Sequence, residues 1–142
     1  MAIRSANAEW KGNLREGEGH VRLGSGAFEG SYSFRSRFGD DTVHTNPEEL
    51  IGAAHAGCYS MALANMLSSA GYTPTSIQTT ARVHLNQKDG GFAITPIELE
   101  TVAEVPGIDP AQFQQFAENA KQNCPVSKVL AGAEIQLKAT LK

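Results

Sequence analysis

Between Leu50 and Ala81 the chain contains no Asp, Glu, Lys or Arg, although His55, Asn65 and several Ser and Thr lie there. Elsewhere Lys and Arg never cluster, and 15 acidic against 12 basic residues leave a net charge of −3, which argues against nucleic acid as a partner. Two cysteines are too few for a disulfide framework, and a reducing compartment keeps such a pair as free thiols. The opening residues, Met1 to Trp10, hold no apolar stretch that could form a signal-peptide core, so a cytoplasmic protein is expected. His20, His44, His55 and His84 show no short ligand spacing, so no metal site is expected. Repeats, low-complexity tracts and linker-like shifts are also missing. At 142 residues and 41% apolar, the expectation is one domain over 1–142 that buries roughly 70% of the surface its unfolded form exposes.

The uncharged stretch is not a membrane span by pattern. Gly52, His55, Gly57, Ser60 and Asn65 interrupt it and Ser68-Ser69-Ala70-Gly71 ends it, which is too little apolar continuity for a span of about 20 residues. Nearly apolar on all sides, it is expected to be a long helix at the centre of a soluble structure. A small domain seldom encloses such a helix, so a second subunit is expected to help cover it.

Around this helix the first 38 residues read as a short antiparallel meander, with Trp10, Leu14, Val21, Leu23, Phe28, Tyr32, Phe34 and Phe38 spread between Gly-rich turns. Period-two alternation returns at Ile77, Thr79, Ala81, Val83 and Leu85, and again at Ile97, Leu99, Thr101, Ala103 and Val105, joined by a hairpin at Lys88-Asp89-Gly90-Gly91. Asp109 and Pro110 open an amphipathic helix that ends near Asn123; Pro125 can open a further short turn, and a last strand runs through Ile135, Leu137, Ala139 and Leu141. The order is α+β.

Chemistry concentrates at Cys58 and Cys124, 66 positions apart, neither of them in a CxxC or zinc-ligand spacing. A thiol with a pKa near 8.5 needs a cation or a helix N-terminus to become a thiolate at neutral pH. Cys124, followed by Pro125 and a helix-compatible run, has an N-terminus by sequence; Cys58, inside a helix, needs help from elsewhere. Arginine suits that need, because its fork of donors holds a thiolate and a developing oxyanion. Arg35 and Arg37 are the nearby candidates, and in an extended Tyr32–Phe38 they share one face, with Ser36 on the other. Arg15 lies further away. Glu48 can orient such an arginine, yet ten residues of straight helix place it about 15 Å from Cys58. Either the chain bends near Gly52 or Gly57, or the carboxylate serves a partner subunit. Glu48 and Glu49 also serve simply as first-turn negative charge, with Asn46 as cap and Pro47 first in the helix.

The stretch Thr45-Asn46-Pro47-Glu48-Glu49-Leu50-Ile51-Gly52-Ala53-Ala54-His55-Ala56-Gly57-Cys58, with Asn123-Cys124-Pro125-Val126-Ser127, resembles the OsmC/Ohr family of thiol peroxidases over nearly the whole chain. Ala8-Glu9-Trp10-Lys11-Gly12 and Gly17-Glu18-Gly19-His20-Val21 are similar to its osmotically inducible branch. The Gly-Gly-Arg-Asp-Gly signature of the organic-hydroperoxide-resistance branch is absent, which favours Arg37 over Arg15. The resemblance implies an OsmC-like fold of antiparallel sheets around a long buried central helix, in an intertwined homodimer with active sites at the subunit interface. It implies Cys58 as the thiol that attacks peroxide and Cys124 as the resolving thiol, although the local cap makes Cys124 the better thiolate. Arg37 would stabilise thiolate and leaving alkoxide, and Glu48 would position Arg37. A Cys58–Cys124 disulfide would follow from a sulfenic acid and be reduced by a lipoyl-type dithiol, with no bound cofactor. Ala, Met and Leu around Cys58 favour organic hydroperoxides over hydrogen peroxide. Three other readings stand beside this one: a hydrolase or acyl-transfer enzyme using Cys58 and His55, a non-catalytic binding dimer, and two inert buried thiols.

Overall fold

The computed structural model describes residues 2–142. Three strands, Ala6–Lys11 (β1), Glu18–Leu23 (β2) and Glu29–Tyr32 (β3), form an antiparallel meander in the order β1-β2-β3. Trp10 in β1 and Tyr32 in β3 close one face of it, their rings 5.6 Å apart. Between them Gly19 must be glycine: a Cβ there would lie 2.4 Å from the Tyr32 ring and 2.8 Å from Trp10. Leu14 and Phe28 fall in the connections, outside the strands, and are exposed.

The extended reading of Tyr32–Phe38 does not hold. Phe34–Phe38 is a short helix (α1), started by a capping box in which the Ser33 hydroxyl accepts from the Ser36 N–H and the Ser36 hydroxyl accepts from the Ser33 N–H at 2.8 Å. Two hydroxyls that bond the backbone locally outweigh the alternation of Phe and Arg. On a helix, residues two apart point to different sides, so Arg35 and Arg37 do not share a face. The Asn46 side-chain amide donates to the Ser36 carbonyl at 3.0 Å, and its oxygen accepts from the Glu49 N–H at 2.8 Å. Asn46 thereby caps Pro47–Ser69 (α2), which starts with proline at its first position as expected. Helix α2 is continuous, with no break at Gly52 or Gly57.

Ser76–Lys88 (β4) and Gly91–Glu104 (β5) pair as an antiparallel hairpin with Lys88 opposite Gly91. Its two-residue loop has positive φ at both positions, 52° at Asp89 and 79° at Gly90, as a turn matching the right-handed strand twist requires. The helices Pro110–Asn123 (α3) and Pro125–Val129 (α4) then carry the chain to Ile135–Leu141 (β6), which lies parallel to β5. Asp109 caps α3 by accepting from the Gln112 N–H. β5 is the central strand of β4-β5-β6. On its inner face Ile97, Leu99, Thr101 and Ala103 are fully buried. Leu99 and Ala103 form one core with Tyr59, Leu63 and Leu67 of α2 and Phe113 and Ala120 of α3. Thr101 is tolerated there because its hydroxyl bonds Thr79 at 3.0 Å, which in turn accepts from Ser60 of α2.

By length and composition α2 could cross a membrane, but Tyr59, Leu63 and Leu67, four residues apart, place one face of it in that core. The other face is uncovered in the single chain: Ala53, Ala54, Gly57, Met61 and Asn65 are exposed, Met61 at 76%. The chain divides into two units, 1–50 and 51–142, and the division falls after the first turn of α2.

Candidate active site

The structure gathers the sequence candidates into two pairs, each within one unit. In the first, α1 presents Arg37 to Glu48 in the opening turn of α2. Arg37 Nη2 donates to Glu48 Oε1 at 2.8 Å, and Nε donates to Oε1 at 3.0 Å and Oε2 at 3.3 Å. Glu48 is buried and the Arg37 side chain is about one-third exposed, 36%. A fork of this kind fixes the plane of the guanidinium, and the bonds to Glu48 use Nε and Nη2, leaving Nη1 outside the fork. Arg35 instead makes an exposed pair with Asp40 at 3.1 Å, and Arg15 stacks over the Phe34 ring at 4.8 Å. The neighbouring Glu49 accepts from the Thr45 hydroxyl at 2.9 Å.

The second pair is Cys58 and Cys124. Cys58 lies midway along α2. Cys124 ends α3, donating its N–H to the Ala120 carbonyl at 2.9 Å, and begins α4, where its carbonyl accepts from the Lys128 N–H at 3.1 Å. Pro125 enforces this junction, because it supplies no N–H to prolong α3 and its fixed φ suits the first position of α4. Both thiols are free and their sulfurs are 2.8 Å apart. Cys124 is 0% exposed, whereas Cys58 is partly open.

When the pair loses a proton, the surroundings favour the anion on Cys124 over Cys58. Burial raises the Cys58 thiol, and its hydrogen bond to Cys124 raises it further, against a Val126 N–H that favours the anion. Burial also pushes Cys124 up, but the Cys58 hydrogen bond, the Ser127 N–H and hydroxyl and the Val126 N–H more than offset it, leaving Cys124 below its ordinary value.

His55, one turn before Cys58 on α2, is fully buried. Its Nε2 bonds the Ser127 hydroxyl at 2.7 Å, and Nδ1 has no partner among the described residues. Burial lowers its pKa, so the ring is neutral. Its hydrogen bond goes to Ser127 and not to Cys58, which removes the geometric basis for a Cys58–His55 hydrolytic pair. Sequence reasoning missed Ser127. The signal was there: Cys124 and Ser127 stand at cap and third helical position, the spacing of a capping box. No group of three or more His, Cys, Asp or Glu side chains able to hold a metal ion occurs among the described residues.

A profile of OsmC-like proteins matches residues 39–139. The chain belongs to the OsmC-like family. It is 51% identical over 140 residues to peroxiredoxin OsmC of Escherichia coli strain K12, a match covering 98% of this chain and 96% of that protein. An organic hydroperoxide resistance protein of Xanthomonas axonopodis pv. citri is 34% identical over 89 residues, 62% of this chain and 61% of that one. Among solved structures, an organic hydroperoxide resistance protein from Elizabethkingia anophelis superposes with a TM-score of 0.76 at 28% identity, covering 99% of both chains. The α+β architecture described above is therefore the OsmC-like one, and both cysteines lie within the matched residues.

Proposed function

We propose that this OsmC-like chain is a thiol peroxidase of hydroperoxide stress defence, a single domain acting as a homodimer, with Cys58 as the attacking thiol and Cys124 as the resolving one. The observation that carries this reading is the contact itself: two reduced sulfurs, 66 residues apart in sequence, lie 2.8 Å from each other with one open and one sealed. They need to approach by only about 0.8 Å to reach the ~2.05 Å of a disulfide. Access decides the roles. A hydroperoxide can reach Cys58 and cannot reach a sulfur with 0% exposure. The relatives named for peroxiredoxin activity and organic hydroperoxide resistance support the same chemistry.

In the first step the Cys58 thiolate attacks the terminal oxygen of ROOH. The O–O bond breaks, the sulfur becomes a sulfenic acid and the alkoxide takes up a proton as ROH. Cys58 is held above its ordinary pKa within its own chain, so it needs a cation for this step. Arg37, fixed by Glu48 and with Nη1 outside the fork, is assigned that work, along with stabilising the alkoxide. The pair is assigned to Cys58 of a second copy, in keeping with the homodimer expected from the sequence. The uncovered face of α2 around Met61 supports such a dimer, because an uncharged patch of this kind is what an interface covers. Ala54 and Met61, one turn either side of Cys58 and both exposed, favour an organic R group. Cys124 then closes the disulfide, and a dithiol of the lipoyl type, working in the cytoplasm, reopens it.

Peroxide consumption with dihydrolipoamide as reductant tests the reading. Cys58→Ser is expected to abolish turnover and Cys124→Ser to stop it after one equivalent. Wild-type turnover in Cys58→Ser would refute it. Ester hydrolysis without dithiol would revive the hydrolase alternative, and indifference to both substitutions a non-catalytic role.

A further inference from the structure

His55 and Ser127 take no part in the steps just described, yet both are buried and bonded to each other beside the reacting sulfurs. The hydroxyl of Ser127 carries one hydrogen. Nδ1 has no partner among the described residues, and a buried N–H left unbonded is rarer and costlier than a bare lone pair, so the imidazole proton sits on Nε2. Towards His55 the Ser127 hydroxyl therefore accepts, which leaves its own hydrogen for the Cys124 sulfur, whose anion the Ser127 side chain favours. Neutral His55 has a single ring proton, and the chain of donors runs in one direction: His55 Nε2–H to Ser127 Oγ–H to the Cys124 sulfur.

This direction matters for a sulfur that solvent does not reach. A buried thiolate is costly unless donors replace the lost water. The resolving attack nevertheless requires the thiolate. The Cys124 anion attacks the Cys58 sulfur of the sulfenic acid, an S–S bond forms, the S–O bond breaks, and hydroxide leaves to take a proton from solvent as water. We propose that His55 and Ser127 are positioning residues for this step: the 2.7 Å bond from Nε2 fixes the serine hydroxyl on the Cys124 sulfur and holds that sulfur ready to close the disulfide. The inference rests on the assignment of Cys58 as the attacking and Cys124 as the resolving thiol.

The test is a rapid-quench experiment on the reduced full-length protein, using one equivalent of cumene hydroperoxide with dimedone as the sulfenic-acid trap and intact mass as readout. Wild type is expected to yield the disulfide with little adduct. Ser127→Ala is expected to slow disulfide closure relative to sulfenic-acid formation by about tenfold or more, the loss of one hydrogen bond to a charged group, so that the Cys58 adduct accumulates. His55→Leu should behave as Ser127→Ala does, and His55→Gln, whose amide N–H replaces Nε2–H, should recover most of the closure rate. A merely structural role would not distinguish Gln from Leu in this ratio. Ser127→Ala, the smallest change, decides the matter even if His55→Leu fails to fold. Cys124→Ser serves as the control: no dimedone adduct there overturns the assignment of Cys58. An adduct in Cys124→Ser together with a wild-type closure ratio in Ser127→Ala overturns the His55–Ser127 proposal alone.

Discussion

Replacing Glu48 by Gln removes the charge that fixes Arg37 while keeping the side chain's size. Three N–H···O contacts of 2.8, 3.0 and 3.3 Å end on the two carboxylate oxygens. The amide retains one oxygen, so at most the contacts to that atom survive, as neutral acceptors. A hydrogen bond to a charged group contributes roughly 1.5–3 kcal/mol. Arg37 is 36% exposed, so solvent screening places the loss at the lower end, about 1.5–2 kcal/mol. If Arg37 acts on the attacking thiolate and the leaving alkoxide, that loss appears in the transition state as roughly a 10- to 30-fold drop in kcat/KM. Glu48→Ala, which keeps neither oxygen, should lose more, and Arg37→Lys, which cannot form the fork, should resemble Glu48→Gln. The assay is initial-rate peroxide consumption with dihydrolipoamide at low hydroperoxide, alongside thermal melts to confirm folding. A folded Glu48→Gln within twofold of wild type would refute the reasoning and return Glu48 to a helix-capping charge.

Three further outcomes are expected. Burial keeps His55 below its ordinary pKa of 6.5, so the unfolded chain takes up the proton first as pH falls. The stability linked to neutral His55 is complete above 6.5 and is lost below it, towards the folded-state pKa. Urea midpoints of wild type should therefore fall relative to His55→Gln between pH of about 7.5 and about 5; a constant difference would contradict this. Tyr59→Phe, which removes the bond from its buried hydroxyl to the Ala117 carbonyl at 3.0 Å, should destabilise by about 0.5–1.5 kcal/mol in urea titration, and no change would show the hydroxyl to be incidental. Met61→Glu places a charge on the exposed face of α2 and should weaken a dimer by about 10²-fold or more in concentration-dependent size-exclusion runs; an unaltered dimer would place the interface elsewhere.

Much of this arrangement was legible in the residues. Asn46-Pro47 and Asp109-Pro110 announced two helix starts because capping is local, and Asp89-Gly90 announced the hairpin because few residues accept positive φ. The α1 helix was not legible: Phe34, Arg35, Arg37 and Phe38 alternate well enough for a strand, and only the reciprocal bonds of Ser33 and Ser36 decide the outcome. That correction separates Arg35 from Arg37, which period-two alternation had placed together. Ser127 was hidden for a different reason. The cap spacing placed it near Cys124, but its partner His55 is 72 positions away, and that contact belongs to the tertiary fold.

The contact between Cys58 and Cys124 carries the account, and one experiment reads it directly. The reduced protein receives one equivalent of cumene hydroperoxide, and the products are followed by intact mass and by digestion without reductant. One equivalent of alcohol, a mass loss of two hydrogens and a peptide pair linked through Cys58 and Cys124 are expected. Peroxide consumed while both thiols stay free, or a disulfide only between Cys58 residues of two chains, would contradict it.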